Sequence, residues 1–235
     1  MTDIFKFWSS SYMKRGDRIH PADKEVFDRM NAERHGFQLD CLPACFAGRL
    51  KTASVVLLYL SPGYDQAIAD DAKTEATKDY YFRRWQGDEP FRDTGPGVSW
   101  IESKTKIFGD YAAVKNHFAL LNIGAYHSKT LKDYGSLLAL PSSRVSLTWA
   151  QQTLFPEAEA GKRIVICLRS AAYWGLDVGR EYKGTLFAPA FNRGGHLLKS
   201  AQRERIIEVV RKRIESLGIG GNDHGRTGSI RPAHR

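Results

Sequence analysis

The chain has 235 residues, about 1.5 times an ordinary globular domain, which favours one large domain over two. With 42% hydrophobic and 26% charged residues it can build a real core, which excludes disorder throughout, a coiled coil and a disulfide mini-scaffold. Lysine and arginine number 35 against 26 for aspartate and glutamate, a net charge of +9. Such an excess suits a polyanionic partner, because each neutralised phosphate releases condensed counterions.

No apolar run approaches the roughly 20 residues that a membrane span needs. Residues 1–20 lack the continuous apolar segment of a secretory leader. Cys41, Cys45 and Cys167 cannot all pair within one chain, and Cys41 and Cys45 read as buried thiols. The expectation is a reduced, cytoplasmic protein with no membrane association.

In chain order, a helix is expected to open near Asp23, bury Val26, Phe27 and Met30, and close at Gly36. Val55-Val56-Leu57-Leu58-Tyr59-Leu60 is continuous and β-branched at its start, as a strand buried on both faces should be. A helical stretch over 65–78 follows. Residues 79–115 then interleave Tyr80, Tyr81, Phe82, Trp85, Phe91 and Trp100 with Arg83, Arg84 and Arg92. This insertion is read either as a satellite core or as a stacking surface for a base or an unpaired strand.

Phe118-Ala119-Leu120-Leu121 is the second strand, and a helix is expected over 142–153. Arg163-Ile164-Val165-Ile166-Cys167-Leu168 is the third, with a short helix over 170–174, and Gly184-Thr185-Leu186-Phe187-Ala188 is the fourth. A last helix carries Leu198, Ala201, Ile206, Val209, Val210, Ile214 and Leu217 on one stripe. Residues 1–217 are thus expected to form one domain, and 218–235, Gly-rich and basic, a disordered tail.

Strands alternating with helices imply a parallel sheet covered on both faces, with ligands bound beyond the carboxyl ends of the strands. The candidate loops are therefore Ser61-Pro62-Gly63-Tyr64-Asp65, the stretch from Asn122 to Ser128, Arg169-Ser170, and the stretch from Pro189 to His196.

These loops carry a resemblance. Tyr59-Leu60-Ser61-Pro62-Gly63 looks like a strand ending in Asn-Pro-Gly, and Leu120-Leu121-Asn122 matches a strand ending in Leu-Leu-Asn. Ala188-Pro189-Ala190 keeps the Pro-Ala of a His-Pro-Ala ending, and Leu42-Pro43-Ala44-Cys45-Phe46-Ala47-Gly48 resembles a lead-in segment. In this order the motifs resemble, distantly, the uracil-DNA glycosylase superfamily, including relatives that remove bulky modified pyrimidines as a defence against phage DNA. The resemblance spans roughly residues 42–217. It implies a three-layer α/β/α sandwich around a four-stranded parallel central sheet. It also implies a monofunctional DNA glycosylase, acting as a monomer on DNA in repair or antiviral defence, without metal or other cofactor. The substrate expected is a deaminated or modified pyrimidine, with hypermodified phage cytosine among the candidates.

The chain departs from the pattern at two positions. Ser61 stands where the family carries its water-activating Asp or Asn, and Ala188 stands where it carries His. Asp65, Ser61 and His196 are therefore the candidate catalytic residues, since glycosidic cleavage needs a carboxylate beside the developing sugar cation and a donor for the departing base. Asp65 also reads as a helix N-cap, and His196 as a solvated loop residue. Asn122, Tyr64, Tyr126 and His127 are the candidate base-binding residues, although Asn122 could close a turn and 126–128 could serve local bonding. Arg169, Asn192, Arg193 and Lys199 are the candidate DNA contacts, with Arg193 and Lys199 flanking a helix start suited to phosphate. Two other classes stay open: a metal-dependent nuclease, which needs more clustered carboxylates than these loops offer, and a DNA-binding module without catalysis.

Overall fold

The computed structural model describes residues 3–219. Helices α1 (Ile4–Phe7), α2 (Pro21–Arg29) and α3 (Ala32–His35) precede strands β1 (Phe37–Gln38), β2 (Phe46–Gly48) and β3 (Val55–Tyr59). Helices α4 (Gln66–Asp71), α5 (Glu75–Arg84), α6 (Val98–Thr105) and α7 (Tyr111–Val114) lead to β4 (Phe118–Asn122) and β5 (His127–Ser128). Helices α8 (Tyr134–Ala139), α9 (Pro141–Trp149) and α10 (Phe155–Glu159) lead to β6 (Ile164–Cys167), β7 (Leu186–Phe187) and the long α11 (Ala201–Ile219).

The fold is mixed α/β, built on a mostly parallel five-stranded sheet in the order β2-β4-β3-β6-β7. The four expected strands are its parallel members, with Val55 opposite both Phe118 and Ile164, and Val165 opposite Leu186. The expected count of four is corrected by β2, which pairs antiparallel with β4, Phe46 opposite Leu121. Three residues, one of them Gly48 at φ 75°, give too short a pattern to show as a strand. A separate two-stranded ribbon pairs β1 with β5.

Strand β3 lies between two parallel neighbours, so all five of its residues are buried and the run is apolar throughout. Its alternate residues serve two cores. Val55, Leu57 and Tyr59 pack with Phe118, Ile166, Phe187, Ile101 and, on α11, Ile206 and Val210. Val56 and Leu58 pack with Leu121, Cys167 and the large rings of Trp8, Trp149 and Trp174. Cys41 and Cys45 are buried free thiols.

Helix boundaries are where local chemistry overrides the apolar pattern. The helix expected to run to Gly36 stops at Arg29, because Met30 turns extended and Asn31 caps a new short helix through Glu33 N. The stretch 65–78 splits in the same way: Asp65 caps α4 and Thr74 caps α5. The last helix continues past Leu217 through Gly218 to Ile219, and the rest of the expected tail lies outside the described residues. Among the described residues, no helix is long and apolar enough to cross a membrane.

Candidate functional site

The chain passes from β3 to β4 on one side and later returns to β6 on the other, so the sheet reverses its winding at β3. Crevices form beyond the carboxyl ends of strands at such reversals. A cleft of about 550 Å³ opens here, lined by the loop after β3, by Leu120 and Asn122 of β4, and by the 79–115 insertion.

Two loops make its floor, and they are bonded to each other. Ile123 N donates to Tyr59 O at 3.2 Å and Gly124 N to Leu60 O at 2.8 Å, extending the parallel pairing past the strands. Farther on, Ser128 N donates to Pro62 O and Tyr64 N to Ser128 O, each at 3.1 Å, while His127 Nδ1 donates to Gly63 O at 2.7 Å. A Cβ at Gly124 would stand 2.3 Å from Leu137 Cδ1, so the buried Leu137 side chain would have to shift to admit one.

Asn122 ends β4 opposite Tyr59 and is 6% exposed. Its Nδ2 donates to Ala44 O at 2.8 Å. A carbonyl can only accept, so that contact fixes which end of the amide is nitrogen. The second N–H and Oδ1 have no protein partner among the described residues, leaving a donor and an acceptor for a ligand.

Asp65 lines the same cleft at its exposed rim. Its Oδ1 accepts from Ala67 N at 2.8 Å as the cap of α4, so the capping role read from sequence is met by a side chain that also lines the cleft. Ser61 and Tyr64 also line the cleft, the Tyr64 hydroxyl donating to Gln66 Oε1 at 3.0 Å. His127 is buried in its wall, and burial pulls its pKa down to about 4 against the opposing pull of the Gly63 carbonyl. It is neutral near pH 7, and Nε2 has no hydrogen-bond partner among the described residues.

Tyr126 is a correction. It is 1% exposed, faces away from the cleft, and donates to Asp23 Oδ2 at 2.6 Å while accepting from His20 N at 3.1 Å. Asp23 is itself buried and also accepts from Ser142 N at 2.9 Å. The phenol thus belongs to a buried polar tie between α2 and α9, and alternation along 126–128 turns only His127 toward the cleft.

His196 is not on the cleft either. It borders a separate cavity of about 50 Å³ with Lys104, Gly195, Leu197 and Arg203. Lys104 Nζ donates to His196 Nε2 at 2.8 Å and to Gly194 O at 2.6 Å. Burial first, and then the charges of Lys104 and Lys106, hold His196 below its ordinary pKa. Tyr59 and Trp100 stand between the two cavities, ring centroids 5.0 Å apart, with Gly195 packed against the Tyr59 ring.

Arg169, Asn192 and Arg193 lie around the His196 turn rather than in the cleft, and Lys199 follows it three residues on, also outside the cleft lining. Arg169 Nη1 donates to Arg193 O at 2.8 Å, and Asn192 Oδ1 accepts from His196 N at 3.1 Å, closing the 192–196 turn. Arg193 and Lys199 are exposed. This is a basic tract beyond β6 and β7, next to the cleft but distinct from it.

Part of the insertion packs into the core and part of it lines the cleft. Trp85 is buried against Trp8, and its Nε1 donates to Pro43 O at 3.0 Å. Tyr80, Tyr81, Phe91, Trp100 and Tyr111 wall the cleft. Sequence reasoning missed Tyr59 and Arg84, which also line it. Tyr59 read as core because it ends an apolar strand, yet its hydroxyl is buried without a partner among the described residues. Among the described residues, no three His, Cys, Asp or Glu side chains gather as a metal-ligand set.

No protein-family model matches the chain, and no curated protein matches it.

Proposed function

We propose that the chain is a monofunctional DNA glycosylase that takes a modified pyrimidine out of DNA and hydrolyses its N-glycosidic bond. The observation that carries this reading is Asn122, whose amide is fixed by the Ala44 carbonyl and offers its remaining donor and acceptor to an aromatic-walled cleft. The fold that goes with the reading is a three-layer α/β/α sandwich whose four parallel strands carry the site, working as a soluble cytoplasmic monomer.

In this account Arg169, Asn192, Arg193 and Lys199, with His196 beside them, hold the DNA backbone. Phosphate contacts position a duplex without reading its sequence. The target base leaves the stack at a cost of a few kcal/mol, which is offset by stacking on the aromatic walls and hydrogen bonds from Asn122. The bond from C1′ to the base nitrogen breaks, and its electron pair leaves with the base. The oxygen of a water, oriented by Asp65 with Ser61 and Tyr64 nearby, bonds to C1′. One proton of that water passes to the Asp65 carboxylate and from there to the departing base. The carboxylate also offsets the positive charge that builds on the sugar.

A cleft of about 550 Å³ lies in the size range of pockets for sizeable small molecules, and a bare pyrimidine ring fills only part of it. That supports a bulky modified base, hypermodified phage cytosine included, and with it a role in defence or repair. The test is to incubate the chain with duplexes carrying single modified pyrimidines and to assay alkali-labile abasic sites. Abasic sites on a modified duplex, absent from its unmodified partner, are the expected result. Salt-sensitive binding with no base released from any duplex would favour the second reading, a DNA-binding module without chemistry. That reading draws on Ser61 and Ala188 at the two departures from the family pattern.

A further inference from the structure

The cleft holds a buried positive charge that no acidic side chain answers. Arg84 ends α5 and is 7% exposed, and its Nε donates to Phe46 O. Its Cζ lies 4.7 Å from the centroid of the Tyr81 ring. Nη1 and Nη2 have no partner among the described residues, and neither is sealed from solvent. Arg92, which lines the same cleft, is the contrast: Nη1 lies 2.8 Å from Asp71 Oδ2 and Nη2 donates to Thr77 Oγ1 at 2.8 Å.

A nearly buried guanidinium with open N–H groups is suited to an oxyanion, which its planar fork meets with two hydrogen bonds. It lines the cleft at a nearly buried position. Arg84 holds the Phe46 carbonyl and Asn122 holds that of Ala44, two residues away, at most about 7 Å along the chain. Its charge adds to burial in holding His127 neutral.

We propose that Arg84 makes its part of this cleft an oxyanion site, and that the base admitted there carries an acidic substituent. The identity of the occupant as a base rests on the glycosylase reading; the oxyanion site itself does not. A backbone phosphate is the other source of the same chemistry. The geometry favours the base, because Arg193 and Lys199 are exposed and free to meet a backbone, whereas Arg84 is nearly buried in the cleft that Asn122, Tyr80, Tyr81 and Phe91 also line.

The test compares three duplexes, each with one central uracil ring on a 2′-fluoroarabino sugar that resists hydrolysis. One ring carries a two-carbon 5-substituent ending in a carboxylate, one carries the corresponding primary amide, and one is thymine. The full chain should bind the carboxylate duplex at least about tenfold more tightly than the amide duplex, a difference of 1.4 kcal/mol. The preference should vanish in Arg84→Gln, survive in part in Arg84→Lys, and persist in Arg193→Ala. Equal binding of carboxylate and amide by the unaltered chain overturns the proposal without needing any variant to fold. So does an Arg84→Gln variant that weakens all three duplexes alike, which would assign Arg84 to the backbone. Hydrolysable counterparts separate the two claims. A carboxylate preference with no base released leaves the oxyanion site standing and removes the glycosylase reading; release of thymine or amide with no preference does the reverse.

Discussion

The side-chain amide of Asn122 and the carbonyl of Ala44 are locked together at 2.8 Å, and that bond orients the only uncharged amide that lines the cleft among the described residues. Replacing Asn122 by Ala should lower excision by about a hundredfold or more, the usual scale for losing an electrostatic partner of the transition state. Its stability cost should be about 1 kcal/mol, one hydrogen bond. Asn122→Asp should cost more, because a carboxylate would face the Ala44 carbonyl with no proton to share. Urea unfolding beside single-turnover excision separates the two effects.

Tyr126→Phe should act in the opposite sense. It deletes the 2.6 Å hydrogen bond to buried Asp23 and leaves that carboxylate short of a donor. Hydrogen bonds to charged groups are worth about 1.5 to 3 kcal/mol. Stability should fall by that amount while excision by the folded fraction stays at the wild-type rate.

His127 gives the fold a signed pH dependence. Its folded pKa of about 4 lies below the ordinary 6.5, so above pH 6.5 neither state is protonated and nothing changes. As pH falls from 6.5 to 4, the unfolded chain binds a proton that the folded chain refuses, and stability drops by about 3 kcal/mol. His20, His35 and His117 are lowered by burial too and add in the same direction. The urea midpoint should therefore fall steeply between pH 7 and pH 4.5. His127→Asn, which keeps a donor for the Gly63 carbonyl, should flatten part of that slope.

Arg193→Ala and Lys199→Ala should weaken DNA binding about uniformly across sequences and reduce the salt slope by about one each. Excision at saturating protein should be unaffected, since both residues lie outside the cleft. A changed sequence preference, or an unchanged salt slope, would place the DNA elsewhere.

The parallel strands were legible because strands covered on both faces must be apolar, as Val55–Tyr59 is throughout, and the edge strand β7 kept the buried pair Leu186-Phe187. Strand β2 was not, because three residues carry no period and its pairing with Ala119–Leu121 is a tertiary fact. The cleft loops followed from the strand ends, which is why Ser61, Tyr64, Asp65, Asn122 and His127 share one cavity. His196 followed the same rule and landed elsewhere, because β7 lies two strands from β3, and Tyr59 and Trp100 close the gap between. Arg84 was hidden among neighbouring arginines. Only burial and the lack of an acidic partner set it apart from Arg83, which is paired with Glu89 at 3.0 Å.

Asp65 carries the chemistry of the account, and it can be tested without disturbing the helix it caps. Asn is as good an N-cap as Asp, so Asp65→Asn keeps the bond to Ala67 N and removes only the charge. The most direct measurement is single-turnover base excision by Asp65→Asn on the duplex that the unaltered chain cleaves best, with DNA affinity measured alongside. The account predicts a loss of about a hundredfold or more in rate at nearly unchanged affinity. Excision at the wild-type rate would contradict it.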